Sequence, residues 1–176
     1  IRNQILISKV NRMHMQNIPL VTEKQVKIYY SQHKKDYWEA PKIKIRHILF
    51  ILEEDVLENE IILKKNKALE VLQILRNGGD FAELAQKYSE DVTAHSGGDL
   101  GVIEHGVMVS EFEDAAFRLN VGEVSDIVTT NYGLHIIKCD EIFPGFSKPL
   151  RQVKKSIESL LQSQNEVKSY KRWINS

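Results

Sequence analysis

The chain has 176 residues, 42% of them hydrophobic and 27% charged, a composition typical of a globular protein and not of a disordered or fibrous one. It contains no apolar run near the roughly 20 residues that a membrane-spanning helix needs, so membrane association is not indicated. The single cysteine, Cys139, excludes an internal disulfide and argues against a cysteine-rich zinc site.

The net charge of zero hides an uneven distribution along the chain. Residues 1–42 carry eight Lys/Arg and three Asp/Glu, residues 143–176 carry seven and two, and the centre carries nine and nineteen. All four prolines lie outside 42–143, and eight of the nine glycines lie inside it. Such shifts often follow domain boundaries. We therefore predict an acidic domain at 42–143 inserted between N-terminal helices at 1–41 and a C-terminal helix at 144–176.

Both flanks show helical patterns. Residues 1–16 have apolar side chains at helical spacing, and a second helix is expected to begin after Thr22, where Gln25 completes a capping box. Residues 150–174 predict a long C-terminal helix with one apolar stripe. Because short amphipathic helices are marginal alone in water, we expect the flanks to pack together as one discontinuous all-α module. The oligomeric state stays open.

The first half of the centre predicts a strand followed by two helices. An apolar run at 43–50 indicates the strand, and residues 62–77 show helical periodicity that ends at Gly78. Asp80 with Glu83 forms a capping box that begins the next helix.

The second half predicts a short strand, a helix and a hairpin. Glycines at 97, 98 and 101 bracket the short strand, and Ser110 with Glu113 forms a third capping box. Two strands, at 124–129 and 134–141, are joined by a turn. The glycines do not form a phosphate-binding loop, since their spacing is wrong and no Lys-Ser/Thr follows. The fold class predicted for the centre is α+β.

Two histidines stand inside the strand-like runs. Because strand side chains alternate between faces, His47 shares a face with Ile45 and Leu49, and His135 shares one with Ile137 and Cys139. Imidazoles on an apolar face need hydrogen-bond partners, and these two can partner each other. A purely structural pair is an equally good interpretation. A metal site that adds Cys139 is disfavoured, since His135 and Cys139 lie about 13 Å apart along an extended strand.

Five sequence pieces, in order, closely resemble the parvulin family of peptidyl-prolyl cis-trans isomerases: RHILF (46–50), DFAELAQKYSED (80–91), GGDLG (97–101), HGVMVSEFEDAAFRL (105–119) and GEVSDIVTTNYGLHIIK (122–138). The flanks resemble, more weakly, the chaperone module of SurA/PrsA-type foldases. The resemblance implies a four-stranded antiparallel sheet wrapped by helices. It also implies an extracytoplasmic location, although no signal segment is present in this chain.

The resemblance also implies a site. One group of residues matches the polar positions beside the substrate amide, and a second matches the proline pocket and its edge: His47, Asp91, Thr130 and His135 in the first, and Leu100, Met108, Phe112 and Tyr132 in the second. From spacing alone, Met108 and Phe112 would be ordinary core residues, and Asp91 would be a helix or turn cap. Val102-Ile103 replaces a more usual aromatic pair.

The activity implied is isomerisation of X-Pro bonds in unfolded or extended polypeptides, which needs no cofactor and no metal. The acidic stretch after the first strand, at 51–58, would repel a phosphate, so no phospho-specificity is expected. The basic flanks lack an aromatic stacking pattern, which argues against nucleic acid as a partner. The alternative is a holdase chaperone that binds unfolded clients through the helical module and has a weak or inactive isomerase domain.

Overall fold

The computed structural model describes residues 18–53 and 57–175, so the helix predicted at 1–16 lies outside the described residues. The described chain divides into two compact units, one within 40–145 and the other formed by 18–39 and 146–175. The functional boundaries at 42 and 143 remain a prediction.

The helices and strands follow in chain order: α1 (Glu23–Gln32), β1 (Trp38–Glu39), β2 (Lys42–Ile51), α2 (Glu58–Arg76), α3 (Phe81–Tyr88), β3 (Asp99–Ile103), α4 (Ser110–Ala116), β4 (Val128–Thr130), β5 (Gly133–Phe143), β6 (Phe146–Ser147) and α5 (Leu150–Ile174). Short 3-10 helices lie at Lys34–Tyr37 and Val92–Ser96.

The unit within 40–145 is built on a four-stranded antiparallel sheet with the order β3-β2-β5-β4. The predicted α+β class and four-stranded sheet are confirmed. Side chains of α2 and α3 pack on one face, around Ile48 and Ile136, and side chains of α4 pack on the other, around Ile45 and Ile137. Because both faces of the sheet are covered at its middle, residues 47–50 of β2 and 133–137 of β5 are buried without interruption, whereas 42–46 of β2 alternates buried Ile with partly exposed Lys and Arg.

A tight crossing fixes the chain beside His47. The amide of His47 donates to the carbonyl of Gly98 at 2.9 Å, one residue before β3 begins. A Cβ on Gly98 would lie 2.1 Å from the carbonyl oxygen of His47, and the φ of Gly98 is +73°. Only glycine fits this backbone approach and this conformation without strain. The GGDLG motif therefore serves backbone geometry, as predicted.

The other unit joins α1 to α5. Thr22 caps α1 in a complete capping box with Gln25, as predicted. Val26 packs against Val153 and Ile157 in a small apolar core, and α5 spans the residues predicted for the C-terminal helix. The sequence did not predict the two-residue strands β1 and β6, which pair antiparallel in this unit.

Three predictions for the central unit need correction. Helix α2 begins four residues before the predicted 62–77 helix. The strand predicted at 124–129 is shorter, since β4 covers 128–130 and Val124 makes one isolated bridge to Lys138. The third capping box is wrong, because the N-cap of α4 is Val109 and it has no side-chain cap.

Candidate active site

A cavity of about 340 Å³ opens at one end of the central sheet. Its walls come from separate segments that the fold brings together: His47, Leu49, Asp91, Leu100, Val107, Met108, Val109, Phe112, Tyr132 and His135. Seven of the eight residues predicted for the site are among them. The eighth, Thr130, lies behind His135, where its hydroxyl contacts the imidazole at 2.8 Å.

The two histidines come from adjacent strands and meet side by side. His47 lies on β2 and His135 on β5, and their Nδ1 atoms are 3.3 Å apart. Their rings stack at a centroid distance of 5.5 Å, and both side chains are buried. On the far side of His135, the Thr130 hydroxyl accepts a hydrogen bond from the amide of Tyr132 at 3.1 Å. The contact between His47 and His135 that the alternation of strand side chains suggests is therefore present.

Asp91 lies next to the other imidazole. Its Oδ1 is 3.2 Å from Nε2 of His47, but the angle is not that of a hydrogen bond, so the contact is electrostatic. The same oxygen accepts hydrogen bonds from the amide and the hydroxyl of Thr93, which makes Asp91 the cap of the 3-10 helix at Val92–Ser96. Asp91 is therefore both a turn cap and part of the cavity wall.

Burial decides the charges of the two histidines, and hydrogen bonds decide that of Asp91. Burial lowers the pKa of His135 from 6.5 to about 4, and the neighbouring His47 adds to the effect. Burial also lowers the pKa of His47 and outweighs the opposing influence of Asp91. For Asp91, burial acts to raise the pKa, but the hydrogen bonds from Thr93 and the nearby His47 lower it overall. At neutral pH the site therefore holds one carboxylate and two neutral imidazoles.

The charge of Asp91 selects one arrangement of protons. A carboxylate beside Nε2 of His47 favours a proton on that nitrogen, which leaves Nδ1 of His47 as an acceptor. His135 then donates from Nδ1, and its Nε2 accepts the hydroxyl proton of Thr130. The Thr130 oxygen still accepts the amide of Tyr132. From Nδ1 of His47 to the amide of Tyr132 each group has one consistent donor or acceptor role, which holds both imidazoles in orientation, whereas Nε2 of His47 meets Asp91 only electrostatically.

Hydrogen bonds between β2 and residues 89–90 position Asp91, and no local sequence pattern indicates them. Where β3 no longer pairs with β2, the amide of Leu49 donates to the Ser89 hydroxyl at 3.1 Å, and the amide of Ile51 donates to the Glu90 carboxylate at 2.7 Å. The amide of Glu90 donates back to the carbonyl of Leu49 at 2.8 Å. Residues 89–90 are thus hydrogen-bonded to the end of β2, and this places Asp91 at the cavity.

Phe112 forms the part of the apolar wall that contacts the histidines. Its ring meets both imidazoles edge-on, at centroid distances of 6.0 Å to His47 and 5.2 Å to His135. Phe112 is only 3% exposed and belongs to the core under α4, whereas Leu100 and Met108 are half-buried. Phe112 is therefore a core residue that also lines the cavity, and its role in binding proline stays a prediction.

Three lining residues were not among those predicted for the site. Leu49 shares a strand face with His47, so strand parity was an available signal for it. Val107 and Val109 flank Met108 in the loop before α4, and their spacing carries no such signal. Tyr132 lies at the edge of the cavity and is 58% exposed.

The described residues also bear on metals and membranes. Within 18–53 and 57–175, no three His, Cys, Asp or Glu side chains cluster in a way that suits a metal ion. Among the helices of the same ranges, none combines the length and the apolar character needed to cross a bilayer.

Comparison with known proteins identifies the family. The PPIC-type PPIASE domain family matches residues 26–142. The chain belongs to this family of peptidyl-prolyl isomerase domains. The resemblance found in the sequence motifs is thereby confirmed, and the match includes every residue predicted for the site.

Relatives of the PPIC-type domain extend over the flanks. The foldase protein PrsA of Caldanaerobacter subterraneus subsp. tengcongensis is 40% identical over 172 residues, which are 97% of this chain and 50% of that protein. The chaperone SurA of Hydrogenovibrio crunogenus is 34% identical, covering 78% of this chain and 30% of that protein. The chain thus spans about half the length, or less, of the curated relatives it matches.

Solved structures agree with the fold. A structure described with PEB4 and the periplasmic protein Cj1289, two SurA-like chaperones of Campylobacter jejuni, matches 99% of this chain and 67% of its own, with a TM-score of 0.73 and 26% identity. PrsA of Bacillus anthracis matches 92% of this chain and 68% of its own, with a TM-score of 0.52 and 32% identity.

Proposed function

We propose that this chain catalyses cis–trans rotation about X-Pro bonds of unfolded or extended polypeptides, and that the cavity beside the two histidines is where it does so. One observation carries the proposal: an apolar slot of about 340 Å³ in a PPIC-type domain is lined by a single carboxylate and two neutral imidazoles. The slot is of a size to accept a proline ring. The names foldase and chaperone among the relatives support polypeptides as clients.

The chemistry requires no covalent step. The planar amide carries negative charge on its oxygen and positive charge on its nitrogen, and rotation about the C–N bond removes this resonance at a cost of about 18–20 kcal/mol. The twisted amide is less polar than the planar one. An apolar cavity that excludes water therefore favours the twisted form relative to bulk solvent.

We assign the residues distinct roles on this basis. Phe112, Met108 and Leu100 hold the proline ring. Asp91 acts on the rotating carbonyl, because a fixed carboxylate repels charge on the amide oxygen of the planar form and the repulsion falls as the amide twists. His47 and His135, with Thr130 behind them, hold the floor of the slot in one orientation. Tyr132 contacts the bound client polypeptide at the edge of the cavity.

The proposed isomerase has no preference for phosphorylated Ser-Pro or Thr-Pro segments. Glu53, Glu54, Asp55 and Glu58 follow β2, and residues 54–56 lie outside the described part of the chain. An acidic segment here repels a phosphate group instead of binding it. We expect a phospho-Ser-Pro peptide to bind no more tightly than its unmodified counterpart. Tighter binding of the phosphopeptide in a titration would contradict this expectation.

Proline-limited refolding of a test protein, measured beside suppression of its aggregation, tests the function. Asp91→Asn keeps an oxygen that can accept from Thr93 but removes the charge, and we expect the refolding rate enhancement to fall about ten-fold, or about 1.4 kcal/mol of barrier. The matched control is Asp80→Asn, which changes the cap of α3 in the same way and does not line the cavity.

The two outcomes separate isomerase from holdase. Accelerated refolding that Asp91→Asn reduces and Asp80→Asn does not supports the isomerase. Suppressed aggregation with no acceleration of refolding by the whole chain would favour the holdase alternative.

We further propose an extracytoplasmic location, supported by the periplasmic SurA-like relative. The test adds protease to cells whose outer layers are permeabilised but whose cytoplasmic membrane is intact, and digestion of the protein is expected. Protection of the protein until the cytoplasmic membrane is opened would refute the proposed location.

A further inference from the structure

A carboxylate on α4 holds the loop that forms one wall of the cavity. Glu113 reaches backward past the start of its own helix: Oε1 lies 2.9 Å from Nδ1 of His105, and Oε2 accepts the amide of Gly106 at 2.7 Å. The Glu113 side chain is only 16% exposed. These contacts, and not a capping box with Ser110, account for the position of the glutamate.

Two further contacts close this loop at both ends. The ring of His105 stacks on Phe117, with centroids 3.6 Å apart and planes 19° from parallel. The amide of Glu113 donates to the carbonyl of Val109 at 2.9 Å. Residues 105–109, named here the rim loop, are therefore held at their first position by Glu113 and the C-cap residue Phe117, and at their last position by the amide of Glu113.

The rim loop carries cavity residues and little else. Its last three residues, Val107, Met108 and Val109, all line the cavity. Val107 is 65% exposed, so packing from the core does little to hold it in place. Met108 and Val109 pack against the core under α4, but His105, Gly106 and Val107 are exposed, so the first part of the loop depends on its hydrogen bonds for order. In the rim loop those bonds converge on Glu113.

We infer that Glu113 is a positioning residue of the isomerase site, which sets the affinity for the X-Pro segment by fixing Val107 and Met108 in the cavity wall. The inference rests on the proposed function. Glu113 does not line the cavity and so does not contact the substrate. A wall held in place before binding loses less conformational freedom when the client chain is bound.

A positioning role for Glu113 predicts that its removal raises KM and leaves kcat nearly unchanged. Glu113→Ala removes both the His105 and the Gly106 contacts, so we expect KM for an X-Pro peptide to rise about ten-fold as wall contacts with the proline are lost. The value of kcat is expected to stay within about two-fold, because Asp91 and the histidines are held by other bonds. Glu113→Gln keeps an oxygen for the amide of Gly106 and should recover part of the affinity.

The chain offers a matched control. Glu123 also reaches back along the chain, where its Oε2 accepts the amide of Asn120 at 2.8 Å and the side-chain nitrogen at 3.0 Å. It does not line the cavity. Glu123→Ala removes a comparable loop contact elsewhere, so it should leave both KM and kcat unchanged.

A second readout does not depend on catalysis. The chain has three methionines, Met13, Met15 and Met108, so a sample labelled at methionine methyl groups gives a simple spectrum in which Met108→Leu identifies the Met108 signal. In Glu113→Ala this signal should move toward the position of a mobile methionine and sharpen, and in Glu123→Ala it should not change.

The outcomes distinguish the two proposals. If the whole chain lacks isomerase activity, the proposed function fails, and the Met108 signal still decides whether Glu113 orders the rim loop. If the chain is active and Glu113→Ala leaves both KM and the Met108 signal as they are in the unmodified protein, the inference is overturned. A fall in kcat with KM unchanged would also overturn it, because Glu113 would then act on the chemical step.

Discussion

Acidification should destabilise the fold through His135. Burial, assisted by His47, lowers the pKa of His135 from 6.5 to about 4 in the folded protein, and unfolding restores the ordinary value. At pH values between these two pKa values, His135 binds a proton in the unfolded chain but not in the folded protein. The stability that the neutral imidazole contributes is thus fully present above pH 6.5 and is lost as the pH falls toward 4.

The size of the effect follows from the two pKa values. Lowering the pH from about 7.5 to about 5 shifts the folding equilibrium by a factor of about 30, or about 2 kcal/mol. For a domain with a free energy of unfolding of about 5–15 kcal/mol this is a large fraction. His135 is 5% exposed, so solvent screens the effect little.

Urea unfolding at the two pH values measures it. His135→Gln removes the titrating group, so its loss of stability on acidification should be smaller than that of the unmodified protein by about 2 kcal/mol. His95→Gln makes the same change at an exposed histidine and should retain the full dependence. The reasoning is refuted if His135→Gln and His95→Gln lose the same stability between the two pH values.

Two further predictions concern packing near the site. Gly98→Ala should destabilise the central unit severely, because its Cβ would lie 2.1 Å from the His47 carbonyl oxygen at a φ of +73°; thermal unfolding checks this, and an unchanged midpoint would contradict the tight crossing. Phe112→Ala should cost about 3–5 kcal/mol of stability, since a buried aromatic side chain leaves a cavity. Chemical denaturation measures the loss, and a cost below about 1 kcal/mol would show that Phe112 only lines the slot.

Elements with strong local signals were predictable from the sequence. The capping box of Thr22 and Gln25 begins α1 as predicted, because both partners lie within one turn. The apolar stripe at 150–174 matches α5. Strand alternation placed His47 and His135 toward one core, since burial on a pleated sheet fixes the register.

Features that depend on distant partners were not predictable. The Ser110–Glu113 spacing satisfies the capping-box pattern, yet Glu113 binds His105 and Gly106 instead, because the loop returns within its reach. The pairing of residues 89–90 with the end of β2 depends on where β3 begins, since Asp99 at its start pairs with Arg46. Local patterns contain neither fact, so the supports of Asp91 and of the rim loop appear only in three dimensions.

The central claim is that the cavity beside His47 and His135 accelerates X-Pro rotation through the Asp91 carboxylate. Exchange spectroscopy on a short unphosphorylated X-Pro peptide tests this most directly, because it observes cis and trans signals interconverting without a folding reaction. With catalytic amounts of the whole chain we expect faster exchange at an unchanged cis/trans ratio, and about ten-fold slower catalysed exchange with Asp91→Asn. No acceleration by the unmodified chain, or equal acceleration by Asp91→Asn, would contradict the claim.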